Sequence, residues 1–245
     1  MEKLRGKVAL ITGASSGLGR AIALAYAREG ASLSICARRD EALQQVCAAV
    51  HAFGAEVIAI NADMRSDRDI ERLVVLTLEK FGRVDILVNN ASELGPTPLP
   101  HLADYPGHAF ADVIDVNVTA PFRLTQALLG GMLLRGDGVV INVSSDVAVH
   151  GYPGWGAYAV SKAALDGLTR TWAAELEGTG VRIHAIDPGD MDTAMHRKAL
   201  PEDDPAALAR PEDVAEAFVW LAAASGPTPA VRLEASRLME EAALV

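Results

Sequence analysis

Cysteine is scarce in this chain of 245 residues, which contains only Cys36 and Cys47. Two cysteines without a secretory signal do not provide the disulfide framework of a small secreted domain. Cys36 lies in an apolar run and Cys47 in a segment with helical spacing. We therefore expect two small, buried or half-buried hydrophobic side chains, with a disulfide between them as the alternative.

Long apolar runs and basic clusters are also missing. The basic residues at the N-terminus precede an apolar run of only four residues, Val8–Ile11, which is too short for a signal sequence or a membrane span. The net charge is -10 and the isoelectric point about 5.0, without a block of lysine and arginine. Because sequence-independent nucleic-acid binding needs such blocks, we expect a cytoplasmic protein with neither a nucleic-acid nor a membrane partner.

The composition is that of a chain able to bury a substantial core. Hydrophobic residues make up 50% of the sequence and charged residues 22%. These proportions argue against extended disorder, and no low-complexity segment or linker divides the chain. The length lies in the range that one α/β domain commonly occupies, so residues 1–245 are interpreted as a single domain.

Short aliphatic runs alternate with longer amphipathic segments along the chain. Near-continuous aliphatic strands are typical of a parallel sheet covered on both faces. The predicted strands are 7–12, 31–36, 56–60, 84–89, 138–143 and 180–186, and the predicted helices are 17–29, 40–53, 67–80, 107–134, 156–178 and 211–224. This order predicts an α/β fold: a doubly wound, mostly parallel sheet of the Rossmann type, in three α/β/α layers.

Two long connections and the C-terminal segment depart from this alternation. Residues 92–107 and 188–211 each follow the end of a predicted strand, where open α/β sheets bind their ligands, so we expect them to be substrate loops. After Pro229, the pattern predicts a last strand over 231–235 and a short amphipathic helix over 236–244.

A glycine-rich turn, Thr12–Gly19, joins the first predicted strand to the first helix with the spacing G-x-x-x-G-x-G. Glycines allow a tight turn and let phosphate oxygens approach the backbone. The helix that follows offers free N–H groups and the positive end of its dipole. We interpret the turn as a dinucleotide pyrophosphate site, with a turn that binds no ligand as the alternative.

After the second predicted strand, Ala37 stands where an acidic residue would select NAD, and Arg38 and Arg39 follow it. A guanidinium recognises phosphate well, so the sequence favours NADP, with NAD as the second choice. In the competing interpretations, Arg38 only stacks on adenine, or both arginines are solvated residues at the start of a helix. The nearby Asp40 and Glu41 weaken phosphate binding.

Tyr158 and Lys162 are four residues apart, so on a helix they share one face. A lysine ammonium within a few ångströms favours the phenolate and is expected to lower the pKa of the tyrosine toward neutrality. Such a pair is common by chance, but Ser145 adds a hydroxyl at the end of a predicted buried strand, where it can hold a substrate oxygen. The three residues together predict acid/base chemistry at a carbonyl or alcohol.

The chain resembles the single-domain short-chain dehydrogenase/reductase family over about residues 5–225. The motifs that carry the resemblance are TGASSGLG at Thr12–Gly19, Asn89-Asn90-Ala91, Ser145 with Tyr158 and Lys162, and PGDMDT at Pro188–Thr193. The separation of thirteen between Ser145 and Tyr158 also matches the family's usual spacing. The resemblance implies an NAD(P)-dependent oxidoreductase with a small-molecule carbonyl or alcohol substrate.

By this resemblance, Tyr158 exchanges a proton with the substrate oxygen and Ser145 orients that oxygen. Lys162 lowers the pKa of the tyrosine and binds the nicotinamide ribose, and Asn117 helps to hold a water that relays protons to the lysine. The implied cofactor-binding residues are Gly13, Ser15, Ser16, Gly17, Leu18, Gly19, Arg38, Arg39, Asp63, Met64, Asn90, Ala91, Tyr158, Lys162, Pro188, Gly189, Met191 and Thr193. Taken alone, Asn117 could be a satisfied buried amide and Asp63 a turn former.

Three departures from the family's pattern bear on this assignment. Ser92 stands where the family often has glycine, which could alter the backbone near the ribose. Ser16 stands where members that prefer NADP often carry a basic residue, which weakens the case for phosphate recognition. The segment after Pro229 is less family-like. The resemblance also implies a homodimer or homotetramer, formed through the predicted helices 107–134 and 156–178.

Residues flanking the catalytic set are candidates for the substrate pocket, namely Val147, Tyr152 and Trp155 beside Ser145. The two aromatic residues either form an apolar wall or pack against a loop or a neighbouring subunit. His150 is interpreted as a solvated loop residue, since the Tyr–Lys pair already supplies acid/base chemistry. No cluster has metal-ligand spacing, so we expect no catalytic metal. The loop from Asp187 to Pro211 is too short for a large lid, so we expect a small or medium substrate.

The predicted function is therefore hydride exchange between a nicotinamide cofactor and a carbonyl/alcohol pair. The alternative is a catalytically silent dinucleotide-binding sensor, whose hallmark would be a broken Ser/Tyr/Lys set. A methyltransferase with the same glycine-rich turn is a third hypothesis, but it leaves Tyr158 and Lys162 unexplained.

Overall fold

The computed structural model of the protein describes residues 2–224 and 231–242. Its sheet has seven parallel strands in the order β3-β2-β1-β4-β5-β6-β7. The strands are β1 (Val8–Thr12), β2 (Ser32–Ala37), β3 (Val57–Asn61), β4 (Ile86–Asn89), β5 (Gly138–Val143), β6 (Val181–Asp187) and β7 (Arg232–Glu234). From β1 the strands are added outward to β3 on one side, and the chain then crosses to place β4 on the other side of β1. This change in the order of strands creates a crevice at the carboxyl ends of β1 and β4.

Helices cover both faces of the sheet. They are α1 (Gly17–Arg28), α2 (Asp40–His51), α3 (Asp67–Phe81), α4 (Gly107–Ile114), α5 (Ala120–Arg135), α6 (Gly156–Glu175), α7 (Ala194–Ala199), α8 (Pro211–Ala223) and α9 (Ala235–Ala242). Neighbouring residues of β1 point to opposite faces: Ile11 packs in a core with Ile22 and Phe218, whereas Leu10 packs in a second core with Trp172. These two cores confirm the predicted α/β/α layering of a Rossmann-type sheet.

The predicted helix 107–134 is interrupted in the structure. A π-helical turn, Asp115–Thr119, separates α4 from α5, with the N–H of Ala120 donating to the carbonyl of Asp115. Pro121 explains the interruption, because it has no N–H to donate to the carbonyl of Asn117 four residues earlier. The sequence pattern showed the helical spacing but not this change of pitch, which places Asn117 in the wider turn.

The C-terminal segment forms the predicted strand and helix. Strand β7 pairs in parallel with β6, and α9 places Leu238 in the core beside Phe218. The end of the predicted helix, residues 243 and 244, lies outside the described residues. Both cysteines are free, Cys36 buried and Cys47 half-buried, which confirms the expectation of two small hydrophobic side chains.

No helix within residues 2–224 and 231–242 is both long enough and apolar enough to cross a membrane. Nor do the described residues contain a group of three or more His, Cys, Asp or Glu side chains arranged to hold a metal ion.

Candidate active site

A crevice of about 680 Å³ opens at the carboxyl ends of the central strands. Every residue predicted to bind cofactor or substrate lines it. These residues are Gly13, Ser15, Ser16, Gly17, Leu18, Gly19, Arg38, Arg39, Asp63, Met64, Asn90, Ala91, Ser145, Val147, Tyr152, Trp155, Tyr158, Lys162, Pro188, Gly189, Met191 and Thr193. Six separate stretches of the chain, one after each of the strands β1 to β6, thus meet at this edge of the sheet. Asn117 does not line the crevice and lies behind it.

The glycine-rich turn is packed directly against the end of β4. The Asn90 side-chain amide donates to the carbonyl of Thr12 over 2.8 Å, and the Thr12 hydroxyl accepts from the backbone N–H of Asn90 and of Ala91. Gly13 has φ +68°, and a Cβ placed on it would lie 2.9 Å from the Cα of Ala91. This position therefore requires glycine for both conformation and space.

The first turn of α1 faces the crevice without a side-chain cap. Ser16 occupies the N-cap position in extended conformation, and its side chain makes no capping hydrogen bond within the described structure. The free N–H groups of the first helical turn and the dipole of α1 together suit the pyrophosphate of a dinucleotide. The residues present therefore fit the cofactor that the fold implies.

The far end of the crevice carries opposing charges. Arg38 follows β2, and its guanidinium lies 3.3 Å from the carboxylate of Glu93 in the segment after β4. Asp63 forms an ion pair with Arg65 at 2.6 Å, and this hydrogen bond holds the pKa of the Asp63 carboxyl below its ordinary value. A phosphate approaching Arg38 must therefore compete with Glu93.

Tyr158 and Lys162 lie one turn apart on α6 and both face the crevice. The Lys162 Nζ lies 5.3 Å from the centroid of the Tyr158 ring and donates to the carbonyl of Val143 over 2.7 Å. Lys162 is only 2% exposed. The end of β5 therefore fixes the lysine beside the tyrosine, as the spacing of four residues predicted.

The pKa of the Tyr158 phenol differs in direction from the sequence prediction. Burial raises this pKa to about 12, and the negative charges of Asp187 and Asp146 act in the same direction, whereas a hydrogen bond with Ser92 lowers it. Burial also lowers the pKa of Lys162 to about 8, against the effect of Asp166 and Asp187. The predicted lowering of the tyrosine pKa was wrong here because burial disfavours the phenolate more than the hydrogen bond with Ser92 favours it.

Ser145 follows β5 and begins a short 3₁₀ turn. Its hydroxyl donates to the Asp146 carboxylate over 3.0 Å and accepts from the N–H of Val147 over 3.4 Å. Tyr152 hydrogen-bonds to the same carboxylate, which raises the pKa of its own phenol. Ser145, Asp146 and Tyr152 thus form a polar edge beside the Tyr158 hydroxyl.

Asn117 is 1% exposed, and protein groups satisfy its side chain. Its Oδ1 accepts from the N–H of Glu93 over 2.7 Å, and its Nδ2 donates to the Glu93 carbonyl and to the Ser161 hydroxyl over 2.9 Å each. Ser92 also contacts this amide, with its hydroxyl 3.2 Å from the Asn117 Oδ1. The side chain therefore connects the segment after β4 to α6, directly behind Tyr158.

An apolar wall borders the reactive end of the crevice. Leu94 and Val147 form a buried cluster with Tyr158, and Trp155 and Met195 pack against it. Trp155 therefore belongs to the wall, whereas Tyr152 is 45% exposed and lies at the rim. His150 is exposed, does not line the crevice and has its ring beside Tyr152, in agreement with its interpretation as a solvated loop residue.

Some residues next to the site were missed by the sequence analysis. Asp166, Asp187 and Arg232 form an ion-pair network beside the candidate catalytic residues, with nitrogen–oxygen distances of 3.0 Å. Ser92, identified only as a departure from the family, contacts both Tyr158 and Asn117. The sequence shows Asp166, Asp187 and Arg232 only as single charges within otherwise apolar segments. The spacing of residues does not show that these distant charges form ion pairs with one another.

Comparison with known proteins agrees with this geometry. The sequence matches the family model described as short chain dehydrogenase over residues 7–204. The 3-oxoacyl-(acyl-carrier-protein) reductase of Thermotoga maritima is 35% identical over 228 residues, which cover 90% of this chain and 92% of the relative.

Solved structures show the same fold. The structure of a protein from Shigella flexneri 2a described as a short chain dehydrogenase, complexed with NADP, is 31% identical in sequence with a TM-score of 0.85. The match covers 96% of this chain and 99% of that chain. NAD+-bound xylitol dehydrogenase has a TM-score of 0.85 at 29% identity, covering 95% of this chain and 98% of that chain. The protein therefore belongs to the short-chain dehydrogenase/reductase family of NAD(P)-dependent oxidoreductases.

Proposed function

We propose that this protein reduces a small or medium carbonyl compound to a secondary alcohol, or catalyses the reverse reaction, with Tyr158 as the acid/base. The observation that carries the proposal is that Ser145, Tyr158 and Lys162 line the same crevice as the uncapped N-terminus of α1. Bound in this crevice, NADPH would supply the hydride that adds to the carbonyl carbon. The Tyr158 hydroxyl then supplies the proton that completes the alcohol at the oxygen.

The chain's own groups account for the proton transfer. Ser145 is assigned to hold the substrate oxygen, and its hydroxyl, which donates to the Asp146 carboxylate over 3.0 Å, would rotate away from that carboxylate to donate to the substrate. A phenol whose pKa is about 12 stays protonated at neutral pH and is ready to donate. This favours reduction as the direction in which Tyr158 acts without prior ionisation.

Lys162 and Asn117 are placed to return a proton to Tyr158. Lys162 lies beside the phenol ring. The carbonyl of Asn117 lacks the N–H that an α-helix would supply, because Pro121 stands four residues further on. The Asn117 side chain is occupied by Glu93 and Ser161, so it is this carbonyl that would hold a water relaying protons to Lys162.

The reactive end of the crevice favours a substrate with an apolar substituent. Leu94, Val147, Trp155 and Met195 supply an apolar surface next to the Tyr158 hydroxyl. The acidic Asp146 and Asp190 also line the crevice and disfavour an anionic group beside the reacting carbon. An uncharged ketone suits this surface best.

NADP is the proposed cofactor, with NAD as the alternative. Arg38 and Arg39 line the far end of the crevice, where a 2′-phosphate would lie. A solved structure of the family contains NADP and another contains NAD+, so both occur among the relatives. The ion pair between Arg38 and Glu93 acts against phosphate recognition.

Changing this ion pair tests the cofactor assignment. Arg38→Ala is expected to weaken NADPH binding about tenfold or more, because a charge-assisted hydrogen bond is lost, and to change NADH binding little. Glu93→Gln is expected to tighten NADPH binding severalfold by freeing the guanidinium. Fluorescence titration of both cofactors measures these effects, with the exposed Glu79→Gln as the control for a lost negative charge. Equal losses for both cofactors in Arg38→Ala would restrict Arg38 to adenine stacking.

The rate of reduction is expected to fall as the pH rises through about 8. Burial lowers the pKa of Lys162 to about 8, so its ammonium loses a proton there, while Tyr158, with a pKa of about 12, remains a phenol. The proton relay to Tyr158 then loses its charged member, although the donor itself is intact. The pH dependence of kcat for reduction measures this midpoint. A profile that is flat up to pH of about 10 would contradict the assigned role of Lys162.

A panel of uncharged ketones and secondary alcohols, followed by nicotinamide absorbance, tests the reaction itself. Turnover of at least one pair with NADPH or NADH is the expected result. The alternative, a silent dinucleotide-binding sensor, would bind the cofactor in calorimetry but turn over no member of the panel. The intact Ser145, Tyr158 and Lys162 set favours the enzyme.

A homodimer or homotetramer is the proposed assembly. Several large apolar side chains are exposed on α5 and α6, among them Phe122, Leu134 and Val160. Exposed apolar residues on adjacent helices are typical of a subunit interface. Light scattering coupled to size-exclusion chromatography gives the oligomeric state.

A further inference from the structure

The guanidinium of Arg232 contacts three groups around the candidate active site. Its Nε donates to the Asp166 carboxylate over 3.0 Å. Its Nη2 donates to the Asp187 carboxylate and to the backbone carbonyl of Ser145, each over 3.0 Å. One side chain of the C-terminal segment therefore joins α6, the end of β6 and the residue predicted to hold the substrate oxygen.

The position of Arg232 in the sheet makes this contact unusual. Its Cα pairs with Ala185 of β6, and Ser145 follows β5, which is one strand further in. Strands are about 4.8 Å apart, so the side chain reaches past an entire strand to the Ser145 carbonyl. The last strand of the sheet is thus connected to the catalytic region by one arginine.

The same network sets the charge around Lys162. Asp166 lies one turn beyond Lys162 on α6 and is buried, and Asp187 ends β6 beside both. The two carboxylates favour the Lys162 ammonium, and Asp187 also acts on the Tyr158 phenol. Arg232 supplies a second positive charge, so the two carboxylates face one ammonium and one guanidinium. Asp146 is the further charged group that acts on Tyr158 from the turn after β5.

Attachment of β7 to the sheet does not by itself explain this arrangement. A buried ion-pair network contributes little net stability compared with apolar residues of similar volume, because its charges must be desolvated. Backbone pairing with β6 and the packing of Leu238 already hold the C-terminal segment. The bond to the Ser145 carbonyl and the proximity to Lys162 indicate a role in the site.

We propose that Arg232 is a positioning residue of the active site, which holds the main chain of Ser145 and balances the charge of the two carboxylates beside Lys162. The inference rests on the proposed function, since it concerns the geometry of the residues assigned to proton transfer. It assigns to the C-terminal strand a part in the activity that the catalytic motifs alone do not include.

The experiment compares Arg232→Met, Arg232→Lys and the control Arg237→Met, which removes an exposed arginine from the same segment. In Arg232→Met, kcat for reduction is expected to fall about tenfold through displacement of Ser145, with the Kd for NADPH nearly unchanged. The pH midpoint of kcat is expected to move upward, because the unbalanced carboxylates hold the proton on Lys162. Arg237→Met is expected to match the wild type in both readouts.

Arg232→Lys separates the two parts of the role. It keeps the positive charge, so the pH midpoint is expected to stay near that of the wild type. One ammonium cannot reproduce the three contacts of the guanidinium, so kcat is expected to fall. In the double variant Arg232→Met with Asp187→Asn, one positive and one negative charge are removed together, and the midpoint is expected to return toward the wild-type value.

Wild-type kcat and pH midpoint in Arg232→Met would overturn the proposal, as would a shifted midpoint that the double variant fails to move back. If Arg232→Met does not fold, Arg232→Lys decides: a lowered kcat with a retained midpoint supports the proposal, and a wild-type kcat overturns it. Failure of the proposed function is distinct, because Tyr158→Phe would then keep full turnover of the same substrate. The inference alone fails when Tyr158→Phe is inactive and the Arg232 variants behave as wild type.

Discussion

Replacement of Tyr158 by phenylalanine is expected to lower kcat for carbonyl reduction by about 10²–10⁴-fold, the range over which a positioned acid/base group accelerates a reaction. The substitution removes one oxygen from a buried side chain and keeps the ring that packs with Trp155. The loss should therefore fall on the proton transfer and leave the apolar wall of the crevice in place. Steady-state kinetics with a substrate identified in the panel measures the effect.

Cofactor binding and stability separate this loss from damage to the fold. The Kd for NADPH should stay close to that of the wild type, since Tyr158 is the only group changed and the turn before α1 is untouched. Tyr26→Phe is the matched control, because it removes the phenol oxygen of a buried tyrosine whose hydroxyl donates to the Phe218 carbonyl. A Tyr158→Phe variant that turned over substrate at the wild-type rate would remove Tyr158 from the mechanism.

The fold could be predicted from the sequence because its strands are covered on both faces. Runs such as Val8–Thr12 and Gly138–Val143 are buried along their whole length, and few other structures bury such runs. The site followed from the same topology, since the motifs at Thr12–Gly19 and Tyr158–Lys162 follow β1 and β5, whose carboxyl ends lie at the same edge of one parallel sheet. Spacing within one element was therefore a reliable guide.

Interactions between distant elements were beyond the reach of the sequence pattern. The π-helical turn at Asn117 is a local effect of Pro121, which lies nearby in the sequence. The hydrogen bonds of the Asn117 side chain, however, are made with Glu93 and Ser161 in other segments. Arg232 pairs with carboxylates 45 and 66 residues away. The periodicity of apolar residues identifies the helix or strand in which a charged residue lies. It does not identify the oppositely charged residue with which that residue pairs.

The direction of the shift in the Tyr158 pKa could not be predicted from the sequence either. The sequence placed an ammonium one turn from the phenol, and this neighbour alone would lower the pKa. The degree of burial depends on the packing of the whole crevice, and it is burial that raises the pKa of Tyr158 to about 12. The direction of a pKa shift therefore required the three-dimensional structure, whereas the identity of the residue did not.

Gly19→Ala is expected to disrupt the cofactor site as a whole. A Cβ at Gly19 would overlap the carbonyl oxygen of Gly13 and the side-chain nitrogen of Asn90. Neither neighbour can move freely, because Gly13 is backbone in a tight turn and Asn90 is hydrogen-bonded to the Thr12 carbonyl. The turn must therefore open and shift the N–H groups of α1 away from the pyrophosphate position.

The expected result is a loss of NADPH affinity of about tenfold or more, with a decrease of about 1–3 kcal/mol in the free energy of unfolding, as is typical of overpacking. Fluorescence titration and urea denaturation measure the two quantities. Gly107→Ala is the control, since Gly107 also lies in the first turn of a helix but has open space where its Cβ would stand. If Gly19→Ala bound NADPH as tightly as Gly107→Ala does, the contact between the turn and Asn90 would not determine cofactor binding. The packing of the turn against Asn90 and the affinity for NADPH should therefore be lost together.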